Sequence, residues 1–213
     1  MNTESKPYLF IHIPKNAGNS VMKLFEDANI PLDIKRHYPN CYPDGTIKMF
    51  LLGITGYGCW QNFYSFAFVR NPYSRVQSAF IYLMRGGLQD LDKSYRDTLL
   101  SYGSFEQCCK ALKFLRKRIV HLVSQQDILC DDNDNVLASF VGKCENFDED
   151  IKKVAPFINE SIQINRSSDF TNNQELTPDI QQMIDDASHL TPETKELIYA
   201  AYEKDFIIFG YEK

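Results

Sequence analysis

Residues 8–20, YLFIHIPKNAGNS, decide the predicted fold because they join a buried strand to a helix through a short polar loop. The first part, YLFIHI, is nearly all apolar, which is typical of a strand covered on both faces. After the loop PKNAGNS, the apolar residues Val21, Leu24, Phe25 and Ala28 recur with helical spacing and form one face. The stretch therefore predicts a strand, a tight loop and an amphipathic helix in succession.

The same pattern recurs at residues 63–80, FYSFAFVRNPYSRVQSAF. The apolar run 63–69 predicts a second buried strand, which ends at Arg70. The pair Asn71-Pro72 is a favourable cap and first residue for a helix, and the residues after it place apolar side chains on one helical face. A second unit of strand, turn and helix is therefore predicted.

Weaker patterns complete the predicted fold. Further strands are expected at 119–123 (IVHLV) and 136–141, a closing helix from Thr191-Pro192 to about Lys204, and loops at 30–50 and 130–135. Strands that alternate with helices indicate the α/β class. We expect one P-loop-like three-layer domain over residues 1–213, with a central, mostly parallel sheet flanked by helices. Ligands of such sheets bind outside the carboxyl ends of the strands, where loops 14–20 and 70–78 are expected.

Composition and charge exclude several classes of protein. The chain of 213 residues is 44% hydrophobic and 13% aromatic, so disorder as the main state is excluded. Residues 1–120 carry 16 Lys/Arg against 9 Asp/Glu, whereas residues 121–213 carry 7 against 19. An acidic protein with a basic first half favours a local anion site over a nucleic-acid surface. Late clustering of acidic helices is the alternative explanation.

The six cysteines show no CxxC pair and no metal-binding spacing with histidine, so we expect free thiols and no metal. We expect no secretory signal, and the sequence contains no apolar run of the length that a membrane helix needs. These features lead to the expectation of a cytoplasmic protein without a transmembrane segment.

The loop PKNAGNS has the features of a phosphate-binding turn. Gly18 permits a tight turn, the following helix presents unpaired N–H groups, Asn19 and Ser20 add donors, and Lys15 adds a cation. The motif GxxxxGK[ST] is absent because the lysine precedes the glycine, which disfavours a P-loop NTPase. A plain strand-to-helix turn with a surface lysine is the alternative.

Arg70 and Ser78 suggest a second anion site. Arg70 ends a buried strand directly before a helix, and Ser78 lies two turns along that helix. An arginine fork with a nearby hydroxyl suits a phosphate group. In the alternative interpretation, Arg70 is a structural ion-pair residue.

The two motifs FIHIPKNAGNS and FAFVRNPYSRVQSAF together resemble those of sulfotransferases that use 3′-phosphoadenosine 5′-phosphosulfate (PAPS), most of all Golgi carbohydrate sulfotransferases and their bacterial relatives. The resemblance continues in order through HLVSQQDIL, VLASFVGKCENFDEDIKKV, INRSS and ETKELIYAAYEKDFIIFGY. Two departures affect the middle of the chain. Ser124-Gln125 replaces a common Pro-Gln, and Ala138 or Ser139 replaces an aspartate.

The resemblance implies a PAPS-dependent transferase whose product is 3′-phosphoadenosine 5′-phosphate (PAP), with no metal required. It implies that Arg70 and Ser78 bind the 3′-phosphate, and that Lys15 also neutralises charge on the leaving phosphate. The residues that it implies for the 5′-phosphosulfate are Lys15, Asn16, Ala17, Gly18, Asn19 and Ser20.

The general base that accepts the proton of the acceptor hydroxyl is expected to be a histidine or a carboxylate. His37, in a predicted loop where bacterial relatives often have histidine, is the first candidate, and a solvent-exposed loop histidine is the alternative. His12 is the runner-up, with a buried strand histidine as its alternative. His121 is expected in the core and His189 on the surface. Glu26 and Asp27 on the first helix stay open as candidates.

The acceptor is expected to be a hydroxyl of a carbohydrate or glycolipid. Residues 110–118 carry five cations, three of them predicted on one helical face, which suit an anionic glycan or a solvated helix surface. Three aromatic residues of the loop 40–61 could stack on sugars or pack in a small core: Tyr42, Tyr57 and Trp60. Two other functions stay open: a kinase or NTPase, and a non-catalytic PAP-binding module.

Overall fold

The computed structural model describes residues 6–36, 63–155 and 176–213. Its sheet has four parallel strands in the order β2-β1-β3-β4. The strands are β1 (Tyr8–His12), β2 (Leu32–Arg36), β3 (Tyr64–Val69) and β4 (Phe140–Lys143). The parallel sheet confirms the predicted α/β class. The predictions made for His37, for the loop 40–61 and for INRSS lie outside the described residues.

The helices follow the strands along the chain. Short 3₁₀ turns lie at Val120–Leu122 and Cys144–Asn146. The α-helices are α1 (Gly18–Asp27), α2 (Pro72–Met84), α3 (Asp90–Leu100), α4 (Phe105–Lys110), α5 (Leu112–Leu115), α6 (Gln125–Leu129), α7 (Phe147–Val154), α8 (Pro178–Ser188) and α9 (Pro192–Ile208).

The chain divides into two compact units, Met1–Arg70 with Gln125–Ser167 and Asn71–Ser124 with Ser168–Lys213. The first unit contains the whole sheet. Its core is aromatic: the rings of Phe10 and Phe25 stack on Phe66 with centroids 5.2 and 5.7 Å away. Because β1 and β3 are interior strands, their apolar side chains are buried on both faces, as their sequences predict.

The second unit is built from helices around one apolar core. The predicted caps are confirmed: Asn71 Oδ1 accepts from the N–H of Tyr73 (2.9 Å) at the start of α2, and Thr191 Oγ1 accepts from the N–H of Thr194 (3.1 Å) at the start of α9. Apolar side chains of α2 are buried as predicted, among them Val76.

The predicted strand at 119–123 is wrong, because these residues form a 3₁₀ turn in the second unit. Their carbonyls bond to side chains instead of to a neighbouring strand. Nη2 of the buried Arg75 donates to Val123 O at 2.6 Å, and Tyr202 Oη donates to Leu122 O at 2.6 Å. The apolar run is buried as expected, but its backbone carbonyls accept hydrogen bonds from side chains that are distant in the sequence.

The predicted loop at 30–50 is wrong over Leu32–Arg36, which pairs with β1 as an edge strand. Leu32 and Ile34 pack against the aromatic core while Asp33 is exposed, so the strand has one apolar face. Two other boundaries shift. The strand expected at 136–141 is β4, Phe140–Lys143, and the closing helix runs to Ile208 with a kink at Tyr202.

Candidate anion-binding site

The loop between β1 and α1 has a strained backbone. Lys15 and Ala17 have φ of 69° and 58°, a left-handed conformation that side chains disfavour by about 1–2 kcal/mol. The first intrahelical bond runs from Val21 N to Ala17 O (3.1 Å), so the amides of residues 18–20 precede the helical ladder. No acidic side chain lies in the first turn of α1. Such strain, with amides at a helix N-terminus, is typical of a turn that binds an anion.

Gly18 allows the helix to begin close to β1. A Cβ at this position would overlap the imidazole of His12, which ends β1. The His12 ring is half-buried and lies 5.8 Å from the ring of Phe10. The structure thus places His12 beside the loop, and glycine is required at position 18 for this close approach, whereas the left-handed backbone of the turn lies at Lys15 and Ala17.

Asn16 fastens the loop to the sheet. Its side chain is buried, and its Nδ2 donates to Phe68 O at 2.8 Å and to Gln125 Oε1 at 2.7 Å. Its backbone N–H donates to Ile13 O at 3.3 Å. The Oδ1 atom is buried and accepts no hydrogen bond from any residue that the structure describes. The donors of Asn16 therefore hold the loop in position.

Arg70 lies at the end of β3, next to this loop. Its backbone N–H donates to Gln125 Oε1 (2.9 Å), and its carbonyl accepts from Gln125 Nε2 (2.9 Å). Its side-chain Nη1 donates to Lys15 O at 3.5 Å. The two cationic residues predicted to bind phosphate groups, Lys15 and Arg70, are thus brought together at one edge of the sheet.

Two residues at this edge were not singled out from the sequence as site residues. Gln125 is completely buried; the resemblance included it as the glutamine of the pair Ser124-Gln125 but gave it no role. Lys143 ends β4 in register with Val69, so a third cation stands on the neighbouring strand at the carboxyl edge. Burial raises the pKa of the nearby Asp150 carboxyl, but hydrogen bonds from Lys143 N–H and Lys153 lower it below its ordinary value.

The remaining predicted cofactor residues divide between the units. Asn19 is exposed and Ser20 half-buried, both in the first turn of α1. Ser78 is half-buried on α2, in the second unit. Glu26 and Asp27 lie in the last turn of α1, at the opposite end of the helix from the loop, and Asp27 pairs with Lys23 at 3.1 Å.

The other histidines of the described residues have structural partners. His121 Nε2 lies 2.9 Å from Asp92 Oδ1, and its ring stands 4.9 Å from that of Tyr82. His189 is exposed, as predicted, and its Nδ1 lies 3.0 Å from Asp185 O. His121 is mostly buried, but in a 3₁₀ turn instead of the predicted strand.

The helical face predicted to carry Lys110, Lys113 and Lys117 does not form, because α4 ends at Lys110 and α5 covers only Leu112–Leu115. Lys110 forms an ion pair with Glu106 at 2.6 Å. The guanidinium of Arg118 stacks over the half-exposed ring of Phe114, 3.6 Å from its centroid. Lys113 and Lys117 are exposed.

Three observations concern the cysteines, metal binding and membrane spans. Burial raises the pKa of both Cys108 and Cys109 to about 12, so these thiols stay protonated. Within residues 6–36, 63–155 and 176–213, no cluster of His, Cys, Asp and Glu has a metal-binding arrangement. In the same ranges, no helix is both long and apolar enough to cross a membrane.

Comparison with known proteins gives one match. The model of the sulfotransferase family matches residues 3–212, nearly the whole chain. Neither the curated proteins nor the solved structures contain a match. The matched range includes both loops of the anion-binding site and the strands that carry them. The chain belongs to the sulfotransferase family.

Proposed function

We propose that this sulfotransferase transfers the sulfuryl group of PAPS to a hydroxyl of a carbohydrate or glycolipid. The observation that most supports the proposal is the convergence of Lys15 and Arg70, in which Arg70 Nη1 donates to the backbone carbonyl of Lys15 at 3.5 Å. Two anion-binding groups at one edge of a parallel sheet suit a nucleotide with phosphates at both its 5′ and 3′ positions.

The 5′ side of the nucleotide is assigned to the loop. The amides at the start of α1 bind the 5′-phosphosulfate, with Asn19 and Ser20 as further donors and Ala17 and Gly18 as backbone contacts. Asn16 holds this loop in place. Lys15 stabilises the negative charge that grows on the bridging oxygen as the S–O bond breaks.

The 3′-phosphate is assigned to the guanidinium of Arg70, which offers two parallel donors. Ser78 is proposed as a second ligand on the strength of its sequence motif alone. A nucleotide without the 3′-phosphate makes no use of these groups, so the assignment predicts selectivity for PAP over ATP.

The acceptor oxygen attacks sulfur as its proton passes to a base, and PAP leaves. His37 is the proposed base, on the sequence motif alone. His12 is the alternative, and its place beside Gly18 at the loop supports it. Glu26 comes after both, since it lies at the far end of α1.

The base assignment predicts that His37→Ala lowers turnover about 100-fold while PAP affinity stays nearly unchanged. The wild-type rate should also fall on acidification through about pH 6.5, where an ordinary histidine becomes protonated. His189→Ala is the matched control, because His189 is an exposed histidine at the end of α8 that is assigned no role in the site. Near-normal turnover of His37→Ala would move the assignment to His12.

Transfer of labelled sulfate from PAPS to a panel of glycans and small hydroxyl compounds tests the proposed function. We expect label on at least one carbohydrate, and transfer lower by about 100-fold or more with Lys15→Ala. Tight PAP binding without transfer to any acceptor favours the non-catalytic binding module. Hydrolysis of Mg-ATP favours the kinase or NTPase alternative and contradicts the proposal.

A further inference from the structure

Gln125 connects the two halves of the anion-binding site through one buried amide. It opens α6 and is completely buried. Its Oε1 accepts from Asn16 Nδ2 (2.7 Å) and from Arg70 N–H (2.9 Å), while its Nε2 donates to Arg70 O (2.9 Å). The phosphate loop and the arginine thus share a single partner.

The contact with Arg70 replaces that of a neighbouring strand. Pairing of β3 with β4 reaches Val69, opposite Lys143. At Arg70, one step later, Gln125 bonds to both the backbone N–H and the carbonyl. The amide therefore continues the ladder by one residue and fixes the direction in which the chain leaves β3.

The contact with Asn16 ties the loop to the same point. One Nδ2 hydrogen of Asn16 bonds to Phe68 O at 2.8 Å, and the other to Gln125. The loop is therefore attached to β3 on both sides of Val69. Movement of the loop relative to Arg70 breaks at least one buried hydrogen bond and is therefore unfavourable.

Only an amide side chain can both accept from Asn16 and the Arg70 N–H and donate to the Arg70 carbonyl. A carboxylate at this position cannot donate to Arg70 O, and an apolar side chain removes all three hydrogen bonds, to Asn16 Nδ2 and to the N–H and carbonyl of Arg70. An amide also carries no charge, so it leaves the positive potential of Lys15 and Arg70 intact for an anion.

We infer that Gln125 is a positioning residue that sets the separation between the 5′-phosphate loop and Arg70, and that it thereby gives selectivity for a nucleotide phosphorylated at both ends. The inference rests on the proposed function. Two phosphates bind strongly together only when their sites are fixed at the right distance beforehand. A nucleotide with the 5′-phosphate alone uses one site and gains little from that spacing.

The test compares affinities for PAP and for adenosine 5′-monophosphate (AMP) by calorimetric titration. Gln125→Met keeps the length of the side chain and removes its hydrogen bonds. Gln125→Glu is nearly isosteric and keeps the acceptor for Asn16. Gln126→Met is the matched control, because Gln126 is a buried glutamine of the same helix whose Nε2 bonds to Asp134 Oδ1 at 2.7 Å.

We expect wild type and Gln126→Met to prefer PAP over AMP by the same factor. Gln125→Met should reduce that preference about tenfold or more. The reason is that Arg70 is no longer held in position for its charge-assisted contact with the 3′-phosphate. Gln125→Glu should reduce it at least as much, since it adds a negative charge beside Arg70. Circular dichroism and Tm identify the variants that fold.

The outcomes separate the inference from the proposed function. A wild-type protein without preference for PAP contradicts the proposed function, whatever Gln125 does. A wild type that prefers PAP, with the preference intact in the folded Gln125 variants, overturns the inference and leaves the function standing. A fall in Tm with an unchanged ratio of affinities has the same meaning, because it shows a purely structural residue.

Discussion

Each compact unit contains a buried polar cluster that holds a turn, and the two clusters differ in charge. In the first unit, the neutral amides of Asn16 and Gln125 hold the loop that follows β1. In the second, the carboxylate of Asp92 holds the turn before α3, through bonds from Leu88 N–H (3.0 Å), Tyr82 Oη (2.7 Å) and His121 Nε2 (2.9 Å).

The difference shows which kind of side chain can hold a loop that binds an anion. Burial raises the pKa of Asp92, but hydrogen bonds from His121, Tyr82 and two backbone amides hold it well below its ordinary value. That carboxylate stabilises by its charge. An amide supports a turn without any charge and without titration, so it can stand directly beside Arg70 and leave the cation available to a phosphate.

The largest effect is expected at Lys15, the cation next to the amide cluster of Asn16 and Gln125. Lys15→Ala should lower sulfate transfer to every acceptor by about 100- to 1,000-fold, the usual worth of one group that stabilises transition-state charge, and should also weaken PAPS binding. Lys23→Ala is the control, because Lys23 is an exposed lysine of α1 that pairs with Asp27. Steady-state rates with saturating acceptor measure both. Equal rates for the two variants would remove Lys15 from the site.

A smaller effect, on stability alone, is expected in the charged cluster. Asp92→Asn should lower the free energy of unfolding by roughly 3 kcal/mol, because it breaks a buried, hydrogen-bonded charge network. Asp90→Asn is the control: Asp90 is exposed and pairs with Lys93 on the surface of α3, so no measurable change is expected. Urea denaturation at pH 7 measures both variants.

The same cluster should give stability a pH dependence of known sign. The pKa of Asp92 is lowered on folding, so its contribution is fully present above about pH 4, the unfolded value, and is lost as pH falls toward the folded value. The stability difference between wild type and Asp92→Asn should therefore shrink below about pH 4. A difference that grows on acidification contradicts this assignment. The amide cluster should add no such dependence.

The smallest effect concerns backbone strain in the loop. Ala17→Gly should leave the free energy of unfolding unchanged or raise it by up to about 1 kcal/mol, because Ala17 has a φ of 58° that glycine adopts without strain. Ala200→Gly, at an exposed position within α9, should instead lower it by about 1 kcal/mol. If both variants lose the same stability, the loop does not store strain at Ala17.

The sequence predicts elements whose signals are local. The interior strands β1 and β3 are continuous apolar runs, and the caps at Asn71 and Thr191 lie next to the helices that they start. The edge strand Leu32–Arg36 is missed because it has one apolar face and follows a proline. Sequence patterns therefore predict buried interior strands more readily than edge strands.

Other features depend on partners far away in the chain. The run IVHLV forms a 3₁₀ turn because Arg75 and Tyr202, 48 and 80 residues from their carbonyl partners, supply the hydrogen bonds. Gln125 likewise bonds to Asn16 and Arg70 across 109 and 55 residues. No local pattern encodes such pairs, so the sequence predicts the two anion motifs but not the residue that joins them.

The central claim is that one ligand engages both anion motifs through its two phosphate ends. Thermal unfolding of the wild-type protein with PAP or ATP at equal concentrations tests it most directly. At about 100 times its Kd, PAP should stabilise the fold by ~2.7 kcal/mol and raise Tm by roughly 5–10 °C. ATP, which lacks a 3′-phosphate, should raise Tm much less, and Arg70→Ala should abolish the difference. Equal stabilisation by ATP and PAP in the wild type would contradict the account.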